Sequence, residues 1–225
     1  MGLIHSPSIV TDGLIACFDP ANPRGRESSS ALINFAQVPD KKSLAIFNGT
    51  SFDDDRNGGV MSFDGTNDSA VFNNYDALNA VTSSVSLSAW FYLNGLPAGE
   101  TALIRKNNQW ALQMLSSTSI RCLVRTDGST GWTSANDVVF NFVTGKWYNM
   151  AVTWDGSYMR IYMDAVLIKS GNVTGALDTN SNQVAVGYHS SNYLNGYMGI
   201  VLINSIGLTG DEVRRNYEAT KGRYQ

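Results

Sequence analysis

Two cysteines and five prolines are all that these 225 residues hold of those types, and histidine occurs only at His5 and His189. Two thiols are too few for a disulfide framework. Cys17 and Cys122 sit in the apolar runs LIACF and IRCLV, which reads as buried free thiols, with a single long-range bridge as the alternative. A catalytic thiol has little to work with, since only His5 and His189 are available as its base. No apolar run reaches the roughly 18 residues that a membrane-spanning helix needs. Charge is sparse: Lys and Arg total 16, Asp and Glu total 19, and the formal net charge is −3. No basic run appears, which argues against a nucleic-acid surface. The opening MGLIHSPSIVTDGLIACF lacks the charged and long apolar regions of a signal peptide. Met1 reads as a true start, and Gly2 with Ser6 fits a myristoylation pattern only as chance matches do.

What the chain has instead is a period of two. In Ser84–Leu93, Val85, Leu87, Ala89, Phe91 and Leu93 alternate with Ser84, Ser86 and Ser88, then with Trp90 and Tyr92. That is a strand with one buried face. Similar runs follow at 101–106, 110–115, 119–125, 147–154, 158–163, 165–169, 183–188 and 197–206. Short strands at close spacing with polar breaks predict an all-β sandwich. The breaks carry Asp-Gly at 12–13, 64–65, 127–128 and 155–156, and Asn-Gly at 48–49, 57–58, 94–95 and 195–196. These dipeptides tolerate the positive φ of tight turns. The strongest hairpin signal is WYNMAVTW-DG-SYMRIYM.

One helix is expected, near the end. Thr209 and Glu212 have capping-box spacing, Val213 and Tyr217 share a face, and Gly222 is placed to stop it. Residues 20–60 read as a long covering loop with a few short strands. No linker composition divides the chain, so residues 1–225 are expected to form a single domain.

Several stretches together carry a family resemblance: IVTDGLIACFDPANPR, GGVMSFDGTNDSAVF, SLSAWFYL, KWYNMAVTWDGSYMRIYMD and GYMGIVLINSIGLTGDEVRRNYEATKGRY. They resemble the laminin-G type of the concanavalin A-like lectin/glucanase superfamily. More narrowly, the opening and the closing KGRY resemble stand-alone domains of tailed-phage virion structural proteins. The resemblance implies a jelly-roll sandwich of two antiparallel sheets, here with a short C-terminal helix. It also implies a non-enzymatic virion role, as a capsid decoration or tail-associated component. The partners would then be other capsid or tail subunits, and the chain would be repeated, and so oligomeric, in the particle. On that reading the protein resides in the virion after synthesis in the host cytoplasm. Arg24, Arg26, Lys221, Arg223 and Tyr224 are the candidate contact residues. The alternative is a lectin-like module that binds host-surface glycan.

The superfamily includes glycoside hydrolases, which need two carboxylates facing one way on a sheet. Residues 84–93, 110–115, 119–125 and 147–154 hold no Asp or Glu, and 158–164 holds only Asp164, at a turn. The expectation is therefore no enzyme. For glycan the candidates are Tyr188, His189, Asn192, Tyr193, Asn195 and Tyr197 in VGYHSSNYLNGY, with Trp132, Asp127 and Asn136 in RTDGSTGWTSAND. An aromatic ring stacks on a pyranose while amides bind its hydroxyls. The same Tyr and Trp also suit a protein interface or plain packing. In FDGTND, Asp64, Asn67 and Asp68 are candidate calcium ligands, as related domains often hold calcium at a rim. They are too few for the six to eight oxygens calcium takes. The simpler reading is a turn whose side chains bind local amides. Asp53, Asp54 and Asp55 form a second acidic cluster, read as solvent-exposed.

Overall fold

The computed structural model describes residues 7–126, 131–135 and 137–225. His5, Ser6, Asp127, Gly128 and Asn136 lie outside the described residues. Among the described residues, two large antiparallel sheets pack face to face, as the period of two predicts.

The first sheet holds β1 (Leu14–Phe18), β5 (Ser51–Asp53), β6 (Val60–Asp64), β8 (Val85–Leu93), β13 (Trp147–Trp154), β14 (Tyr158–Met163), β15 (Val166–Asn172) and β19 (Asn195–Asn204). Its order is β15-β14-β13-β8-β19-β6-β5, with β1 also paired to β19. Strand β19 is long enough to pair with β6 through its first half and with β1 through its second. The second sheet holds β2 (Arg26–Ser28), β3 (Ala31–Leu32), β4 (Leu44–Phe47), β7 (Ser69–Phe72), β9 (Thr101–Lys106), β10 (Trp110–Ser116), β11 (Ser119–Val124), β12 (Val138–Val139) and β16 (Val184–Val186). Its order is β12-β11-β10-β9-β16-β7-β4-β3-β2. A small hairpin, β17 (Tyr188–His189) with β18 (Asn192–Tyr193), stands apart.

The core between the sheets is built from the alternate residues that the sequence marks. Val85, Leu87, Ala89, Phe91 and Leu93 of β8 meet Leu112, Met114, Ile120 and Cys122 of the other sheet. Cys122 lies in this core and Cys17 on the opposite side of the first sheet, and both thiols are free. Burial pushes the Cys17 thiol up to about 12 and the Cys122 thiol higher still.

Residues 20–60 do more than cover. Strands β2, β3 and β4 complete one edge of the second sheet, and β5 completes an edge of the first. The outward side of β8 also departs from a simple half-buried strand. Trp90 is 0% exposed because the C-terminal segment lies over it. Helix α2 (Gly210–Thr220) brings Tyr217 to 5.4 Å from the indole, and Tyr224 stacks at 4.7 Å. The Trp90 Nε1 donates to Thr220 Oγ1 at 2.8 Å. This cover explains why the outward positions of β8 change from serine to aromatic along the strand.

Helix α2 starts as expected. Thr209 accepts from the Glu212 backbone and Glu212 reaches back to the Thr209 amide, the reciprocal cap. It ends at Thr220, and Gly222 lies inside a following 3-10 turn rather than stopping the helix. A further short helix, α1 (Asp76–Asn79), has no counterpart in the sequence reading.

Left-handed glycines mark the turns at Gly13, Gly49, Gly58, Gly65 and Gly156. Two glycine dipeptides behave otherwise. Gly196 lies within β19, where a Cβ would come within 1.9 Å of the Tyr92 carbonyl oxygen. Gly95 does not adopt a positive φ. The 147–163 hairpin forms, but its turn is shifted by one residue. Asp155 pairs with Tyr158 across Gly156-Ser157, and the Asp155 carboxylate accepts from the amides of both Ser157 and Tyr158.

Candidate functional site

The outward face of the second sheet carries polar residues at alternate positions. Arg105 of β9 lies in register with Ala111 of β10 on one side and Ala185 of β16 on the other. Those two methyl side chains leave the guanidinium in a depression. Gln113 of β10 lies in register with Arg121 of β11, extending the polar row. Glu100 reaches the same face from just before β9, and Asp137 from just before β12.

These groups form a hydrogen-bonded network. Arg105 Nη1 donates to Glu100 Oε1 at 3.2 Å and to Gln113 Oε1 at 2.9 Å. Gln113 Nε2 donates to Glu100 Oε1 at 2.6 Å. Arg121 grips Asp137 with two parallel bonds of 2.7 Å, the fork geometry that suits guanidinium to carboxylate. That grip holds the Asp137 carboxyl below the ordinary carboxylate range. His189 Nδ1 stands 3.6 Å from Glu100 Oε1. Burial and the nearby Arg105 lower its pKa, while Glu100 opposes them.

Trp132 lies half-buried over this network. Its ring sits 4.7 Å from the Arg105 guanidinium, a cation–π contact. The neighbouring Thr133 fixes the segment through a two-way backbone pair with Val124 at 2.7 and 2.9 Å. Glu100, Arg105, Arg121, Trp132, Asp137 and His189 border a hollow of about 500 Å³. A second hollow of about 330 Å³ shares Arg105 and His189 with it. Asn107, Asn182 and Tyr188 border the second. The Asn182 amide donates to the Asn107 carbonyl at 2.9 Å, which ties the two sides together.

Of the residues picked from sequence, Trp132, Tyr188 and His189 meet at these joined hollows. Tyr193 stacks on Tyr188 across the β17–β18 hairpin at 5.9 Å and 13°. Asn192 lies against Gly99, where a Cβ would meet its Oδ1 at 3.0 Å. The stretch 186–197 is therefore a hairpin leading into β19, not an open loop. Tyr197 does not join the group. It projects from the outer face of the first sheet, beside Tyr92 at 5.7 Å and under Arg56 at 4.2 Å. Asn195 begins β19 opposite Asp64.

FDGTND connects β6 to β7 as a turn. Asp64 Oδ1 accepts from the Thr66 amide at 2.7 Å and the Asn67 amide at 3.4 Å. Asp68, 3% exposed, accepts from the Asp64 amide at 2.8 Å through Oδ2. Burial raises its pKa. The Asp64 and Asp68 side chains thus act on nearby backbone, and no cluster of three His, Cys, Asp or Glu suited to a metal occurs among the described residues. Asp53 caps the amides of Asp55 and Arg56, and Asp54 pairs with Arg26.

Glu100, Arg105, Gln113, Arg121 and Asp137 were not anticipated as site residues. The two arginines stand at outward strand positions, where a charged side chain is ordinary, so the sequence alone does not single them out. The two acids stand outside the strands, so a search of strand residues passes over them.

Comparison with curated proteins finds no match. Solved structures do match. Domain 4 of AbnA, an extracellular GH43 arabinanase of Geobacillus stearothermophilus in complex with arabinotriose, superposes with a TM-score of 0.68 at 16% identity. That alignment covers 92% of this chain and 98% of the other. A structure of botulinum neurotoxin type C, whose cell entry depends on two ganglioside molecules, gives 0.71 at 13% identity. It covers 93% of this chain and 52% of the other. A Trypanosoma rangeli sialidase gives 0.66 at 16% identity, covering 95% of this chain but 34% of the enzyme. Identities this low speak for the shared jelly-roll fold alone. The sequence profile of the concanavalin A-like lectin/glucanases superfamily, laminin-G type, matches residues 64–214. With two-thirds of its length matched and the sandwich in place, the chain belongs to the concanavalin A-like lectin/glucanases superfamily.

Proposed function

We propose that this chain is a non-catalytic carbohydrate-binding module whose binding face is the outer side of the second sheet. One observation carries the reading. Trp132 offers a half-buried indole above a hollow walled by hydrogen-bonding groups, which is the pairing of flat apolar surface and polar edge that a sugar ring requires. The neighbours with arabinotriose and with gangliosides support the same class of ligand.

Glycosidic bond cleavage needs one carboxyl group held protonated near neutral pH as the general acid. Asp137 is shifted the other way by Arg121. Glu100 accepts from two cationic or amide donors at once. Asp137 is thus held away from the proton-donor role, and binding without turnover is the activity proposed.

A glycan array followed by calorimetry tests this. The parent protein is expected to retain at least one oligosaccharide class. Trp132→Ala is expected to weaken that binding by about tenfold or more, in line with the loss of a stacking platform. Unchanged affinity in Trp132→Ala, or silence across the whole array, overturns the proposal.

A structural role in a phage particle is the second reading. It is favoured by exposed apolar residues at the sandwich edges, Val139 on β12 with Val166 and Leu167 on β15. The closing segment that suggested it is largely occupied within the chain. Tyr224 is buried against Trp90, and Arg223 pairs with Asp19 at 2.7 Å. Detecting this chain in purified particles would support that role, and its absence from them would remove it.

A further inference from the structure

Resting on the glycan reading above, we infer that the ligand is an uncharged oligosaccharide bearing vicinal hydroxyls, laid across both hollows and read by the Glu100–Arg105 and Arg121–Asp137 pairs. The charge on this face is already matched. A site for an acidic sugar needs a guanidinium or ammonium whose charge is free to meet the ligand. Here Arg121 is held by Asp137 through two bonds, and Arg105 is held by Glu100 and Gln113. Among the described residues that border the hollows, the two arginines are balanced by two carboxylates, and His189 is biased toward its neutral form. An incoming carboxylate or sulfate would approach Glu100 and an Asp137 whose ionised form Arg121 favours. Like charges at that range disfavour the complex.

A neutral diol meets the opposite situation. Each sugar hydroxyl is both donor and acceptor. Two adjacent hydroxyls can therefore donate to a carboxylate oxygen and accept from the neighbouring guanidinium N–H without leaving either charge unmatched. The Arg121–Asp137 pair is about one-third exposed, so its outer lone pairs and N–H groups face solvent and ligand. The hollows add an argument about length. They share Arg105 and His189, and each has its own aromatic, Trp132 in one and Tyr188 in the other. Two ring-stacking positions along one groove suit a chain of at least two sugars and not a single terminal residue.

The test compares neutral oligosaccharides of graded length (arabino-, xylo-, gluco-, manno- and galacto-series) with sialylated, uronic and sulfated glycans by calorimetry. Binding is expected for a neutral series only. It should strengthen about tenfold or more from one sugar to three, and it should change less than about twofold between about 0.05 and 0.5 M salt. Arg121→Gln and Asp137→Asn are each expected to weaken it by about tenfold, with thermal melts confirming that both variants fold. Preference for acidic glycans, or steep loss with salt, overturns this inference while leaving the glycan-binding role intact. Full neutral-glycan affinity in both variants also overturns it. No binding to any glycan overturns the role itself.

Discussion

Lys106 ends β9 with its side chain 0% exposed, and its ammonium makes one hydrogen bond, to the Asn180 carbonyl at 2.9 Å. Among the described residues no ion pair involves it, and burial lowers its pKa to about 8 from 10.5. Below pH 8 both folded and unfolded chains carry the proton, and the cost of burying the charge is complete. From pH 8 to 10.5 the unfolded chain holds a proton that the folded chain has released, so this residue's contribution to stability rises with pH. The Cys17 thiol runs the other way. Its folded pKa of about 12 lies above the unfolded 9.0, so its contribution is complete below pH 9 and lost as pH climbs toward 12. The rise due to Lys106 is therefore clearest between pH 8 and 9. Lys106→Met is expected to stabilise the fold at pH 7 by about 1–3 kcal/mol. That gain should shrink as pH rises toward 10, measured by urea unfolding of parent and variant in parallel. A pH-independent difference would contradict the assignment. The Arg121–Asp137 pair differs in kind. It is exposed enough that its loss should cost about 0–1 kcal/mol of stability, so its removal should register in ligand binding and hardly in melting.

The C-terminal helix is held by two devices of different strength. The reciprocal cap of Thr209 and Glu212 satisfies amides that the first turn leaves open. Thr209→Ala is expected to lower stability by about 1 kcal/mol. The stack of Tyr217, Trp90 and Tyr224 closes the outer face of the first sheet. Tyr224 also accepts from the Ile200 amide at 3.0 Å, and a Cβ on Gly199 would come within 2.3 Å of its hydroxyl. Tyr224→Ala is expected to cost about 3–5 kcal/mol, by analogy with other buried aromatics, against the smaller cap loss. Equal losses in the two variants, in guanidinium melts, would place the anchoring elsewhere. These features were unequally legible. The capping residues are local and were read directly. The aromatic turn of β8 was visible, but what covered it was not, because Tyr217 and Tyr224 reach Trp90 only after the chain has closed the sheet.

Over the molecule as a whole, the sandwich depends on β19 pairing with three strands at once. Gly196 allows this by letting β19 approach Tyr92 more closely than any side chain permits. Its φ of +155 adds to the penalty for a Cβ. Gly196→Ala is expected to destabilise by several kcal/mol or to prevent folding, read from circular dichroism and soluble yield. A variant as stable as the parent would show that the register can relax there. Asn195-Gly196 reads as a turn from sequence, since the dipeptide is the same whether it bends a hairpin or admits a neighbouring strand.

Alternation of side chains is a property of the chain itself, because successive residues of an extended backbone face opposite ways. For that reason the longer strands and the apolar layer between two sheets followed from the sequence alone, while the helix cap and most glycine turns followed from the chemistry of a few local residues. Which outward side chains meet is a different matter. Strand order, register and the path of the loops are set by long-range pairing, and a shift of one residue moves every side chain to the other face. Only the assembled sheets bring Glu100, Arg105, Arg121, Trp132, Asp137 and His189 to one groove. The same assembly sends Tyr197, close in sequence to Tyr193, to the far side of the sandwich.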